Sequence, residues 1–360
     1  MKNYLHYIIL ILTIVGCKST TQLSLRFLDE YIVSDTLQCK NTLVGGLSGI
    51  DKANKLYYLV VDDDKAPRIL KAKIKIAKDT ISAVDFLDVI QLNDTSTFYK
   101  NNVLDLESIF IGENHTINLA SEGSIYYGKN PSLFKIDSLG RFIEKYQIPS
   151  IFQANSVAKP RHNGTFEATS KSVDNKGFWM GMELPLVADG DLPSVTKTSS
   201  PIRITYFDNQ TKKATKQFAY QLEPLSKTIK GKVNTNGVSA ILEYKKNHFF
   251  VVERAYQSGY GSYGNVIRIF EASIGRNTTD ILNQPSLKTR RFVPLKKRLL
   301  IDFKDCKNKL TKGIIDNIEG ITYGPTLANG KQSLLLISDD NFQKYGKQFN
   351  QFILLEINRK

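Results

Sequence analysis

Five times along this chain a strand-opening signature is followed, one hairpin later, by an acidic residue where a second strand should end. The copies run from Leu47-Ser48-Gly49-Ile50 to Asp62-Asp63-Asp64, from Leu106-Glu107-Ser108-Ile109 to Ser121-Glu122-Gly123, and from Phe166-Glu167-Ala168 to Met182-Glu183. Two more run from Val238-Ser239-Ala240-Ile241 to Val252-Glu253-Arg254 and from Ile318-Glu319-Gly320-Ile321 to Ser338-Asp339-Asp340. The marked positions lie 14, 15, 16, 14 and 20 residues apart, the last gap lengthened by an extended turn over 325–332. A unit this short cannot build a core alone, so stacked copies must share one.

The apolar pattern between the markers is β-like almost throughout. Short β-prone runs at 56–61, 117–120, 248–252 and 333–337 are bounded by Asn, Asp, Lys and Gly. A further alternating segment follows each acidic end, at 68–74, 132–136, 202–206, 266–270 and 351–355. No long stretch has a 3.6-residue period. The class is all-β, and a β-propeller with five legible repeats, and so five or six blades, fits best. A β-sandwich gives no reason for acids that recur in register. Successive first markers lie 59, 60, 72 and 80 residues apart, which places the extra length in loops such as 189–200 and 277–297. The segment Leu23 to Val33 is positioned to close the ring against the last blade.

Residues 1–16 read as a leader and not as part of the fold. Lys2 is followed by an apolar run over 7–15, too short to span a bilayer, and Ile14-Val15-Gly16-Cys17 has the form of a bacterial lipobox. Cleavage before Cys17 would leave a lipidated thiol, a tether over 17–22 and a propeller domain over 23–360. The expected place is the bacterial cell envelope, lipid-anchored and facing the periplasm or the outer membrane. A net charge of +14 favours anionic surfaces or substrates, whereas no nucleic-acid motif accompanies it. Cys39 and Cys306 precede the first and last repeats. Ring closure would make them neighbours, so a disulfide latch is one expectation and two buried thiols the other. The chain is expected to be a monomer.

A hairpin puts the start of its first strand and the end of its second at one edge. Repetition around an axis then gathers Asp62, Glu107, Glu122, Glu167, Glu183, Glu253, Glu319 and Asp339 at one mouth. Two carboxylates about 5 Å apart repel by roughly 3 kcal/mol at an effective dielectric near 20. Such a ring calls for cations, protons or basic partners, and Ca²⁺ or another divalent ion suits an all-oxygen donor set best. Asp63 and Asp340 extend the set of candidate ligands. Lys65, Arg68, Arg161 and Arg254 flank acidic positions and could hold an anionic substrate. Gly259-Tyr-Gly261-Ser-Tyr-Gly264 has the spacing of a nucleotide loop, but a strand follows it, so it reads as a flexible loop.

These segments resemble the bacterial phytase-like family, also called esterase-like activity of phytase. The likeness rests on Gly45-Gly-Leu-Ser-Gly-Ile50 with Asp62-Asp63, Asp105-Leu-Glu-Ser-Ile109 with Ser121-Glu122-Gly123, and Phe166-Glu167 with Met182-Glu183. It continues in Val252-Glu253-Arg254, Asp316-Asn-Ile-Glu-Gly-Ile321 and Leu335-Leu-Ile-Ser-Asp-Asp-Asn-Phe342. Ala168 stands where the family usually has Gly. The resemblance implies a propeller and a phosphoesterase activity resting on repeated Glu and Asp. On that reading a metal-dependent phosphoesterase uses Glu107, Glu167 or Glu319 as general base. Its metal would be held by Asp62, Asp63, Glu122, Glu183, Glu253, Asp339 and Asp340. Its substrate, an anionic phosphorylated small molecule, would meet Lys65, Arg68, Arg161 and Arg254. The competing reading is a non-catalytic, lipid-tethered binding propeller, with Tyr126, Trp179, Tyr256 and Tyr260 as candidates to project around the mouth.

Overall fold

Each acidic repeat folds as the inner hairpin of a four-stranded antiparallel sheet, and five such sheets surround an axis. The computed structural model describes residues 23–92 and 94–359. The leader over 1–16, the lipobox Cys17 and the tether lie outside the described residues. The first blade comprises Leu47–Ala53, Leu56–Val61, Arg68–Ala77 and Thr80–Gln91. The second comprises Leu106–Ile111, Ile117–Ser121, Ser132–Ile136 and Phe142–Lys145. The third is Phe166–Lys171, Gly177–Met182, Pro201–Asp208 and Ala214–Gln221, and the fourth Asn234–Lys245, His248–Gln257, Asn265–Ser273 and Lys296–Asp302.

The fifth blade joins both ends of the described chain. Asn317–Tyr323, Ser333–Asp339 and Asn350–Arg359 take Leu23–Val33 as their outer strand, with Leu23 opposite Arg359 and Val33 opposite Asn350. The ring therefore closes as the sequence suggests, and with five blades. The innermost strands of successive blades touch all the way round.

The apolar faces meet between blades. One cluster joins the first and second blades, a larger one the second, third and fourth, and two more close the ring through the fifth. Phe178, stacked on Phe207 and tilted against Phe110, shows how the second and third blades lock together. Trp179, a candidate for the mouth, instead packs in this core against Tyr206 and Phe249. Its indole is apolar surface that the core takes first.

A local irregularity repeats with the sequence signature. In every inner strand the register slips by one residue at the first marker, so Ser48, Glu107, Glu167, Ser239 and Glu319 each occupy a β-bulge. The next residue is always small: Gly49, Ser108, Ala168, Ala240 or Gly320. These residues line the narrow axis, where the strands converge. A Cβ on Gly49 would stand 2.8 Å from the Cα of Ser108.

The disulfide latch is corrected. Cys39 and Cys306 are free and buried, Cys39 in the core between the fifth and first blades and Cys306 in that between the fourth and fifth. The last blade gives each thiol its own apolar neighbourhood, and both behave as small hydrophobes.

Candidate functional site

The inner strands start, and their partners end, at one face of the ring. There the bulges aim the glutamates into a central cavity of about 780 Å³. Its lining includes Asp62, Glu107, Glu122, Glu167, Glu183, Glu319 and Asp339. Where the bulge carries serine, the hydroxyl binds backbone instead. Ser48 Oγ donates to the Leu106 carbonyl at 2.7 Å and Ser239 Oγ to the Ile318 carbonyl at 2.8 Å, each reaching the next blade just before that blade's own bulge. Serine thus clamps blades where glutamate builds the site.

The fourth blade departs from the expected ring by one residue. Val61, Ser121, Met182 and Ser338 pair with the residue before the bulge, and the acid comes one position later. In the fourth blade Glu253 itself pairs with Val238, so the position facing the cavity belongs to Arg254. Strand alternation sends neighbouring side chains to opposite faces, and the one-residue offset turns Glu253 away. It accepts hydrogen bonds from Tyr220 Oη at 2.7 Å, Asn236 Nδ2 at 2.7 Å, Lys297 Nζ at 2.6 Å and the Glu223 amide at 2.9 Å. Those donors fix it between the third and fourth blades, outside the cavity.

Other expected residues also settle elsewhere. Asp63 binds Arg68 at 2.8 Å, and Arg68 also donates to the Ala66 carbonyl, so both are occupied with their own turn. Asp340 accepts from the Gly46 amide at 2.9 Å and from Asn350 Nδ2 at 3.1 Å, which ties the fifth blade to the first. Arg161 donates to the carbonyls of Pro185 and Gly190. Lys65 is exposed and outside the lining. Of the four basic candidates, Arg254 alone enters the cavity. Its Nη2 lies 2.9 Å from Glu183, 3.5 Å from Glu167 and 3.6 Å from Glu319.

Burial and crowding raise the proton affinity of these carboxyls. Desolvation is the largest cause at Glu107, Glu167 and Glu319, all raised well above the carboxylate range, with neighbouring acids next. Glu122 and Asp339 are pushed up to about 8 for the same reasons. Asp105, desolvated and beside Asp62, is pushed up to about 9.

Two carboxylate groups stand out by distance. One oxygen each from Asp62, Asp105 and Glu107 lie within 4.8 Å of one another, and so do one each from Glu107, Glu122 and Glu167. Glu107 is common to both.

Residues 42–342 match the phytase-like family, described as esterase-like activity of phytase. The chain belongs to this family. No curated protein matches it in sequence. Among solved structures it is similar to the catalytic domain of a Coprinopsis cinerea α-L-arabinofuranosidase, at 9% identity over 94% of this chain and 98% of that one, TM-score 0.41. It is also similar to an exo-1,5-α-L-arabinanase from a bovine ruminal metagenomic library, at 7% identity over 88% and 97%, TM-score 0.42. A third is the Dos1 propeller, at 8% identity over 86% and 67%, TM-score 0.32. These likenesses are of shape.

In this phytase-like propeller two acids present in the family motifs, but not among the expected site residues, also reach the site. Asp105 joins the first oxygen group, and Asp316 lines the cavity while accepting from the Phe349 amide at 2.7 Å. Both stand just before a bulged glutamate, Asp105 two residues ahead of Glu107 and Asp316 three ahead of Glu319. Asn317 Nδ2 then donates to Glu319 Oε1 at 2.7 Å. An acid shortly ahead of the bulge was the legible signal.

Proposed function

We propose that this phytase-like propeller is an envelope-anchored, metal-dependent phosphoesterase acting on a small phosphate ester. The observation that carries the reading is the pair of oxygen groups sharing Glu107, set in one cavity with Arg254. Their donors are all carboxylate oxygens, the set that hard cations prefer, and bound positive charge would relieve the crowding that raises their proton affinity. Asp62, Asp105 and Glu107 would hold one ion, and Glu107, Glu122 and Glu167 another. A divalent cation there, Ca²⁺ being the best suited, supplies charge neutralisation and polarisation of a phosphoryl oxygen.

The chain's own residues divide the remaining work. Arg254 offers the cavity a guanidinium suited to phosphate oxygens, and Glu183 holds it in place at 2.9 Å. Glu107 and Glu167 belong to the oxygen groups, which leaves Glu319 of the three candidates for acid–base work. Buried among other acids and fixed by Asn317 Nδ2, its carboxyl binds a proton more tightly than a free glutamate and can donate it to a leaving oxygen.

A panel of phosphomonoesters and phosphodiesters, assayed with calcium and with chelator, tests the reading. Turnover that needs the metal and falls at least a hundredfold in Glu319→Gln supports it; no turnover of any ester sinks it. The binding-module reading keeps one specific support, since Tyr345 lines the cavity and stands 80% exposed. Ligand binding without turnover would decide for it.

A further inference from the structure

The cavity has two chemically different walls. Blades one, two, three and five bring the carboxylates. The fourth blade brings amide, hydroxyl and phenol groups: Thr235 pairs across to Tyr256, Tyr256 pairs with Asn265, and all three line the cavity in one cross-strand row, with Asn234 next to Thr235. Arg254 lies two residues from Tyr256 on the same strand, so both face the same side.

That row is left unsatisfied. Asn234 Oδ1, Thr235 Oγ1 and Asn265 Oδ1 are buried and find no hydrogen-bond partner among the described residues, and neither does Arg254 Nε. The amide nitrogens are already used, Asn234 Nδ2 on the Gly231 carbonyl at 2.8 Å and Asn265 Nδ2 on Asp316 at 3.3 Å. What remains free on each amide is its oxygen as acceptor and a second N–H, and the oxygens call for a ligand that brings protons. A phosphate dianion offers no protons to such a wall, whereas a hydroxyl-bearing ligand does. Buried polar atoms without partners are costly, and four around one wall are accounted for by a ligand that satisfies them.

Charge narrows the class further. Asp316 joins the seven acids already named at the cavity, against Arg254 and Lys347 as its basic lining residues. Arg254 can meet one phosphate, whereas a densely phosphorylated ligand would outnumber the cavity's two basic lining residues. The cavity volume falls within the range of small-molecule sites and leaves room for a body much larger than phosphate.

We propose that the fourth-blade wall is the subsite for the uncharged, polyhydroxylated part of a sugar monophosphate, whose single phosphate lies against Arg254. This rests on the phosphoesterase reading of the same cavity. Tyr256 supplies an aromatic face for the sugar's C–H surface, and the amide and threonine oxygens take its hydroxyl protons.

Calorimetric titration of the full chain in millimolar Ca²⁺ tests it with inorganic phosphate, glucose 6-phosphate, phosphoethanolamine, inositol hexakisphosphate and methyl glucoside as probes. Glucose 6-phosphate should bind at least tenfold more tightly than inorganic phosphate and more tightly than the other three. The double variant Thr235→Val, Asn265→Ala should erase that margin; Tyr256→Ala serves if the double variant fails to fold. Equal affinity for glucose 6-phosphate and phosphate overturns the subsite, as does tightest binding of phosphoethanolamine or the hexakisphosphate. Methyl glucoside binding that no phosphate ester improves would support the wall and overturn the phosphoesterase reading. Hydrolysis of phenyl phosphate with no margin for the sugar ester would do the reverse.

Discussion

Glu107 carries the sharpest conflict in the molecule, since one carboxyl serves both oxygen groups and lies against Asp62, Asp105, Glu122 and Glu167. Glu107→Gln keeps the volume and removes the charge. In metal-free protein it should be neutral or stabilising by up to about 2 kcal/mol, because it relieves like-charge repulsion. In millimolar Ca²⁺ it should abolish most of the rise in melting temperature that wild type gains from the ion. A mutant that keeps the full calcium shift would remove Glu107 from the metal site. The same crowding sets a pH dependence. A carboxyl whose folded pKa lies above its unfolded value binds more protons when folded, so stability falls as pH rises through that interval. Asp105, raised to about 9, and Glu122 and Asp339, raised to about 8, define the upper end. Scanning calorimetry of metal-free protein should therefore give a melting temperature that declines from about pH 5 to about pH 9, and calcium should flatten the decline. A rise over that interval would mean the ring is not under like-charge strain. At this scale the sequence was legible to within one residue. Glu253 read as the fourth blade's acid, and only pairing with Val238 reveals that Arg254 takes the place. Both are charged, so composition could not choose between them.

The hairpin element explains why the repeat was readable and the bulge was not. Small residues at Gly49, Ser108, Ala168, Ala240 and Gly320 recur because the inner strands converge at the axis, and recurrence survives in the sequence. A bulge is a relation between two strands, visible only once their register is known. The long insertions show the same limit. Residues 189–200 and 277–297 read simply as extra loop, yet Asp189 and Leu287 from the two segments meet at a buried ion pair. Arg203, fully buried, donates to both oxygens of Asp189 at 2.7 and 2.8 Å and to Gln217 Oε1 at 2.6 Å. Asp189 also accepts from the Leu287 amide at 3.0 Å, so one carboxylate pins both loops to the third blade. Arg203→Met leaves that carboxylate buried and unpaired, and should cost about 3–5 kcal/mol by chemical denaturation. Adding Asp189→Asn should recover part of the loss, since it removes the orphaned charge. A single variant within about 0.5 kcal/mol of wild type would show that the pair does not hold the loops.

On the scale of the whole molecule, ring closure fixes which way the site faces. The outer strand of the fifth blade runs from Leu23, opposite Arg359, to Val33, opposite Asn350. One strand further in, Ser333–Asp339 has Asp339 at its cavity end and Ser333 at its far end, where Ser333 pairs with Glu356 of the strand next to Leu23–Val33. Leu23 therefore leaves the propeller on the face away from the cavity. The strand Asn350–Arg359 spans about 33 Å at the usual rise per residue. Six residues from Cys17 to Leu23 reach at most about 20 Å even when fully extended. A lipid on Cys17 would thus hold the far face to the membrane and turn the mouth outward, toward soluble or wall-bound esters and away from lipids of the same leaflet. Labelling with a radioactive fatty acid should mark the wild-type chain and not Cys17→Ser. With the lipidated protein on vesicles, a fluorophore at Arg359→Cys should be quenched by lipid-borne quencher, and one at Tyr345→Cys should not. Both native thiols of the fold are buried, so the engineered cysteine takes the label. Equal or stronger quenching at residue 345 would place the mouth against the membrane, and the substrate would then have to be sought among its lipids.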